Sequence, residues 1–269
     1  MTFQPLVPFS GAAGYAFLER TRERQLETFQ QSASVQRNVD AFRDRIAGIT
    51  SAEALVKDYQ LLQVTLGAFG LDEDINNKFL IQKVLSSNTA DPEALTSRLA
   101  DKRYETMAKA FGFGDVLGPR VGLPGFADRI VEAYTTRQFE IAVGEQDQTM
   151  RLAMGLEREL GQIIDKGASP DATWFNVMAN KPLRQVFETA LGLPQSFGAL
   201  DLDRQLEGFR AKAQSAFGVS EIADFADPER QEELRRLFLV RAQVANGLSG
   251  PATPASTALT LLTNGSQGF

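Results

Sequence analysis

The chain has 269 residues, 28 basic against 34 acidic side chains for a net charge of −6, and neither histidine nor cysteine. Those two zeros exclude a Ser-His-Asp triad, a cysteine nucleophile, a disulfide and any His or Cys metal centre. The acidic balance argues against nucleic acid, because a phosphate backbone requires a basic stripe.

Residues 1–12 are expected to form an extended arm: Pro5 and Pro8 forbid a helix, and Gly11 loosens the junction. The opening stretch lacks a basic n-region, so it does not read as a secretory signal peptide. Its apolar residues Phe3, Leu6, Val7 and Phe9 are candidates for docking on a protein partner. From residue 13 to 33, Tyr15, Leu18, Leu26, Phe29 and Ala33 recur at helical spacing, with Glu19, Arg20, Glu23, Arg24 and Glu27 on the other face. Val39, Phe42 and Ile46 continue the pattern over 36–48.

Ser51 is an N-cap for a helix beginning at Ala52. A wide apolar face from Asp58 to Phe69 predicts a second helix, stopped by Gly70 in the left-handed conformation. Another amphipathic stretch runs from Ile75 to Leu85. Three triplets, Asp91-Pro92-Glu93, Ser169-Pro170-Asp171 and Asp227-Pro228-Glu229, each place a capping side chain before proline and an acidic residue, and each predicts a helix start. Residues 112–125, with five glycines and two prolines, are read as a flexible interhelical loop. Phe126 to Lys166 contains no proline and predicts a long central helix of roughly 60 Å if unbroken, with a bend or break expected near Gly144, Gly155 or Gly161. The uncharged stretch 248–269 is expected to be a flexible tail. No segment alternates cleanly enough for a strand, so the fold class is all-α.

Two stretches look alike. Ala110-Phe-Gly112 and Ala216-Phe-Gly218 each follow a charged helix, and each leads to a helix carrying an aromatic and an arginine, Tyr134 with Arg137 and Phe238 with Arg241. This predicts an internal repeat: helical halves over 13–145 and 146–247, joined by the central helix.

Tests for chemistry are negative. Counted as a calcium loop from Asp72, the sixth position holds Asn77 and the twelfth Lys83, where glycine and glutamate are needed. Gly112-Phe-Gly114-Asp-Val-Leu-Gly118 misses the dinucleotide spacing by one residue and follows a helix instead of a strand. Glu132, Glu140, Glu157 and Glu159 lie on helices, but no signal marks a catalytic pair. Trp174, the single tryptophan, is expected to be a core or interface anchor. No catalytic residue, metal or cofactor is expected.

The run Leu61-Leu-Gln-Val-Thr-Leu-Gly-Ala-Phe-Gly-Leu-Asp-Glu-Asp-Ile-Asn-Asn77 carries a family resemblance. So do Phe79 to Leu85, Arg98-Leu-Ala-Asp-Lys-Arg-Tyr104, Ala108 to Gly112 and Ala190-Leu-Gly-Leu-Pro194. Together they resemble the bacterial family catalogued as domain of unknown function 1217, over roughly residues 50–245. The resemblance implies a helical protein of mainly alphaproteobacterial distribution with no assigned activity. Genes of that family often lie near flagellar genes. The expectation is a non-catalytic structural or interaction protein in flagellar assembly or export, cytoplasmic or flagellum-associated, with protein partners. The alternative is a cytosolic helical binding module or chaperone-like protein.

Overall fold

A computed structural model describes residues 3–164 and 168–249. Among them are thirteen α-helices and no strand, so the fold is all-α. The chain divides into two compact units, residues 3–7 with 18–146 and residues 8–17 with 147–249. The expected tail lies outside the described residues, except that Leu248 and Ser249 belong to the last helix.

Residues 3–10 are non-helical, and α1 (Gly11–Gln30) starts at a glycine with φ +66°. Its first turns, to Phe17, belong to the second unit and the remainder to the first. The first unit continues with α2 (Ala33–Arg45), α3 (Ala52–Lys57), α4 (Tyr59–Phe69), α5 (Lys78–Leu85), the single turn α6 (Leu95–Arg98), α7 (Lys102–Phe111) and α8 (Phe126–Gly144). The expected Ser51 cap is present, and Asp58 supplies a second one at the start of α4. Ser51 Oγ accepts the Ala54 N–H at 3.2 Å, and Asp58 accepts those of Gln60 and Leu61. Gly70 closes α4 at φ +70°, and the Leu71 N–H reaches the Leu66 carbonyl at 2.9 Å in a Schellman motif.

α4 is the centre of this unit. Leu61, Leu62, Val64, Thr65, Leu66, Gly67 and Ala68 are all buried, because the helix packs against α8, α2, α3 and α7. Gly67 permits the closest approach: a Cβ there would lie 2.7 Å from the ring of buried Tyr134 on α8. The Tyr134 hydroxyl accepts from Asn38 of α2 at 3.1 Å, which ties three helices together. Phe111 meets Phe69, Phe113 and Phe126 in an aromatic cluster at the end of α7.

One predicted start is displaced. Asp91 Oδ1 accepts the Glu93 N–H at 2.8 Å, but the chain makes only a turn there, and α6 begins at Leu95. The side chain caps a turn as readily as a helix, and here the Asp91 carbonyl is used by Ala94.

The long central helix is two helices. α8 ends at Gly144, and Asp147 caps α9 (Gln148–Ile164) by accepting the N–H groups of Thr149 at 2.8 Å and Met150 at 3.3 Å. Glycine weakens the helix, and a good N-cap three residues on restarts it.

The second unit comprises α9, α10 (Pro170–Ala179), α11 (Lys181–Leu191), α12 (Leu202–Phe217) and α13 (Pro228–Ser249), together with the first turns of α1. The other two proline triplets start α10 and α13. α11 is central, packed on α13, α9, α10 and α12. It ends in Gly192 at φ +65°, with the Leu193 N–H on the Glu188 carbonyl, again a Schellman motif. Trp174 is fully buried, stacked on Phe209 with centroids 5.4 Å apart, and its indole N–H donates to the Ser220 carbonyl at 2.9 Å. It is a core residue with its polar atom satisfied.

Candidate functional site: a braced apolar loop

The described residues hold no group of three or more Asp or Glu set to bind a metal ion. No helix among them is long and apolar enough to cross a membrane. The acidic run at Asp72 forms a 3-10 turn in which the Asp72 and Asp74 carboxylates are occupied and Glu73 is exposed. Asp72 accepts from Gln138 at 2.6 Å, and Asp74 accepts from Asn77 at 2.7 Å and from the Tyr104 hydroxyl at 2.6 Å. Burial, then the Asp74 carboxylate, pushes the Tyr104 hydroxyl well above the ordinary tyrosine range. Of the helical glutamates, Glu140 in the first unit and Glu159 in the second are buried. Glu159 accepts from Arg158 at 3.3 Å and from Asn180 at 2.9 Å.

The four arm residues are divided between the units: Phe3, Leu6 and Val7 belong to the first and Phe9 to the second. The Phe3 ring packs edge-on against Phe29 with centroids 5.8 Å apart, and Pro5 is buried. The amide of Gln25 clamps Leu6 at both backbone groups, its Oε1 accepting the Leu6 N–H at 2.6 Å and its Nε2 donating to the Leu6 carbonyl at 3.2 Å. Gln146 Nε2 donates to the Pro5 carbonyl. Val7 is half-buried, while Leu6 and Phe9 are 60% and 61% exposed.

The most exposed large apolar side chains are elsewhere, at Val116 (94%) and Leu117 (92%) in the loop between α7 and α8. This loop is built in place. Gly112 ends α7 at φ +67°. Gly114 then passes so close to the end of α5 that a Cβ would lie 2.3 Å from the Ser86 carbonyl oxygen and 2.4 Å from that of Ser87. The Gly118 N–H closes a turn on the Asp115 carbonyl at 2.9 Å, which leaves Val116 and Leu117 as its two corners. Asp at the first and Gly at the fourth position favour such a turn; Val and Leu at the corners do not, since turn corners normally take Pro, Asn, Asp, Ser or Gly.

Asp115 organises the rest. Its Oδ1 accepts both the N–H and the hydroxyl of Thr89 at 2.8 Å, and its Oδ2 pairs with Arg120 Nη2 at 2.7 Å. Arg120 in turn donates through Nη1 to the Lys109 carbonyl and through its backbone N–H to the Phe111 carbonyl. Burial works to raise the Asp115 carboxyl, but the Thr89 donors and the Arg120 guanidinium outweigh it and hold it below the usual aspartate value. The segment 112–125 is therefore a loop, as expected, but one pinned to α5 and α7, and it displays two aliphatic side chains to water.

Residue patterns pointed away from this site. A glycine-rich stretch signals a turn, and the Asp115–Arg120 spacing was the one local sign of a brace. Thr89, 26 residues upstream, gives no sequence signal for its role.

No curated protein sequence is significantly similar to the chain. The fold matches the crystal structure of an Agrobacterium tumefaciens protein determined as a structural-genomics target. The TM-score is 0.72 and the identity 24%, with 90% of this chain and 99% of that one covered. The description "Protein of unknown function (DUF1217)" matches residues 68–230, from the buried end of α4 through the braced loop to the first turn of α13. The chain belongs to that family, whose span takes in the whole of the braced loop.

Proposed function

We propose that the protein is a non-catalytic interaction protein whose first unit docks on another protein through the Val116–Leu117 loop. The carrying observation is the pairing of nearly complete exposure with a rigid brace. Placing two aliphatic side chains in water at a turn corner brings the fold no burial, and a network of side-chain and backbone bonds holds them there. A preorganised loop loses little entropy on binding. The absence of histidine and cysteine, and the engagement of Asp72, Asp74 and Asp115 in hydrogen bonds, favour binding over catalysis.

The internal repeat is part of this reading. Each unit has a central helix ended by a left-handed glycine, Gly70 or Gly192, and an arginine of the unit's last helix lies against that glycine, Arg137 in one and Arg241 in the other. Each also has a charged helix ended by Gly112 or Gly218. On this reading the first unit carries an insertion between the corresponding helices, residues 71–101 against 193–201, and the braced loop rests on that insertion through Ser86, Ser87 and Thr89.

The setting we propose is flagellar assembly or export, on the strength of the family's gene neighbourhood, with the protein cytoplasmic or flagellum-associated. The test is a clean deletion in the native host, complemented with the wild-type gene or with a Val116→Asp/Leu117→Asp variant. Swimming is scored and filaments are counted by electron microscopy. Loss restored by the wild type but not by the variant is expected. Normal swimming in the deletion strain removes the flagellar setting, and full rescue by the variant removes the loop.

A further inference from the structure

A second surface of the first unit is occupied by the chain itself. Thr21, Gln25 and Phe29 are spaced four residues apart and so share one face of α1. The Phe3 ring packs on Phe29, which in turn meets Phe139 of α8 edge-on with centroids 5.8 Å apart. Leu6 lies one turn back along the helix, at Gln25, so the segment runs antiparallel to α1. Between the two, Pro5 is buried, and its carbonyl accepts from Gln146 just beyond α8. All of these residues belong to the first unit.

The attachment is that of a bound peptide. Gln25 engages Leu6 through its backbone N–H and carbonyl, which every residue except proline offers, while the Leu6 side chain stays 60% exposed. An arm that served only the fold would bury that side chain. Gln25 is also oriented from its own helix, because its Nε2 donates to Thr21 Oγ1 at 2.8 Å. Selection therefore falls on two positions, a ring against Phe29 and a proline two residues on. Both amides are neutral and residues 3–7 carry no charge, so the groove reads main chain and shape. Three hydrogen bonds and one ring contact form a set small enough to open while the helices stay formed.

We propose that this groove is a recognition site for an extended segment of another protein that carries an aromatic residue, a proline two positions on and a non-proline residue after it, with residues 3–6 as its resident occupant. The chain's own segment supplies the template for that chemistry. Release of the arm opens the site. The tether gives the arm an effective concentration of about a millimolar, so an outside segment gains the groove only when it binds better than the arm or is itself held close. The proposal is independent of the Val116–Leu117 loop.

The probe is the synthetic peptide Thr-Phe-Gln-Pro-Leu-Val, capped at both ends and fluorescently labelled. It is titrated by anisotropy against the full-length wild type and against full-length Phe3→Ala/Leu6→Pro, which takes the ring from Phe29 and the N–H from Gln25. The peptide is expected to bind this arm variant about tenfold more tightly than the wild type, and Gln25→Leu added to the variant is expected to weaken it about tenfold. A peptide with alanine in place of phenylalanine is expected to bind about tenfold more weakly. In the wild type, the Leu6 amide is expected to exchange with deuterium about a hundredfold faster than the buried amides of α4. Equal protection of Leu6 and α4, or loss of the thermal transition in the arm variant, makes the arm part of the core and overturns the proposal. Failure of the peptide to bind the arm variant, equal binding to the wild type, or indifference to Gln25→Leu overturns it as well. A wild-type dimer in sedimentation velocity that the arm variant converts to a monomer assigns the groove to the arm of a second copy and overturns the assignment to another protein.

Discussion

Asp115 accepts hydrogen bonds from both the backbone N–H and the side-chain hydroxyl of Thr89, each at 2.8 Å, and so joins the α7–α8 loop to the chain just beyond α5. Its other oxygen holds Arg120. Asp115→Ala removes the acceptor and leaves three donors without their partner. The expected cost is about 1–3 kcal/mol, read as a lower urea midpoint. Chymotrypsin, which cuts after Phe113 and Leu117, is expected to nick the variant faster than the wild type under native conditions. Unchanged cleavage means that the loop is held by something other than Asp115.

Gly114 tests the same brace from the backbone side. Its φ is not in the left-handed region, so alanine carries no torsional penalty there; the obstacle is the pair of carbonyl oxygens from Ser86 and Ser87. These belong to backbone and cannot swing away. Gly114→Ala is expected to destabilise by about 1–3 kcal/mol, as overpacking does. Gly122→Ala in the same loop meets nothing within 4 Å. It is expected to leave stability within about 0.5 kcal/mol of the wild type. Thermal melts of the two variants side by side check this, and equal effects refute the close approach.

Much of the scaffold was legible in the sequence because helix ends are written in short-range chemistry. Ser51 and Ser169 cap where they were expected to, and Gly70 stops α4. Asp91 shows the limit: the same side-chain geometry caps a turn, and nothing local decides whether a helix follows. Gly144 marks only where the helix weakens, while the restart depends on the Asp147 cap three residues later. The loop was harder. Its rigidity comes from Thr89, Ser86 and Ser87, remote in sequence, and a glycine needed for close packing is indistinguishable in sequence from one needed for freedom. Burial of Trp174, in contrast, followed from residue type alone.

Stability should be insensitive to pH across neutrality. With no histidine, no side chain with an unperturbed pKa near 6.5 exists. Asp115 is held below its usual 3.8. Glu105 is held below 4.5, where burial raises it but Lys109 and Lys102 prevail. A lowered folded-state value means stabilisation that is fully present above the unfolded value and is lost as pH falls through the folded one. At the other end, burial raises Tyr104 and Tyr134 above 10, so their contribution is present below pH 10 and is lost as pH rises beyond it. Urea denaturation from pH 3 to 11 is expected to give a plateau over about pH 6–8 with declines at both ends. A steep transition near pH 6.5 refutes it.

Trp174 is the largest fully buried side chain among the described residues, and Leu117 is among the most exposed. Trp174 is the sole tryptophan, fully buried, with its N–H on the Ser220 carbonyl. Its fluorescence is expected to lie at short wavelength, to resist iodide quenching, and to shift to the red as the second unit unfolds. Trp174→Phe keeps a ring against Phe209 but strands the Ser220 carbonyl, at a cost of about 1–3 kcal/mol. In that background, Leu117→Trp puts an indole at the loop corner. The loop is fixed by Asp115, Arg120 and Gly118, none of which the substitution touches, so the new indole is expected to be as exposed as the leucine it replaces. It should emit at the wavelength of a hydrated tryptophan, quench readily with iodide, and do so without any change in the thermal transition relative to Trp174→Phe alone. A blue-shifted, protected emission from position 117 would mean that the loop folds onto the protein, and the docking reading would lose the observation that carries it.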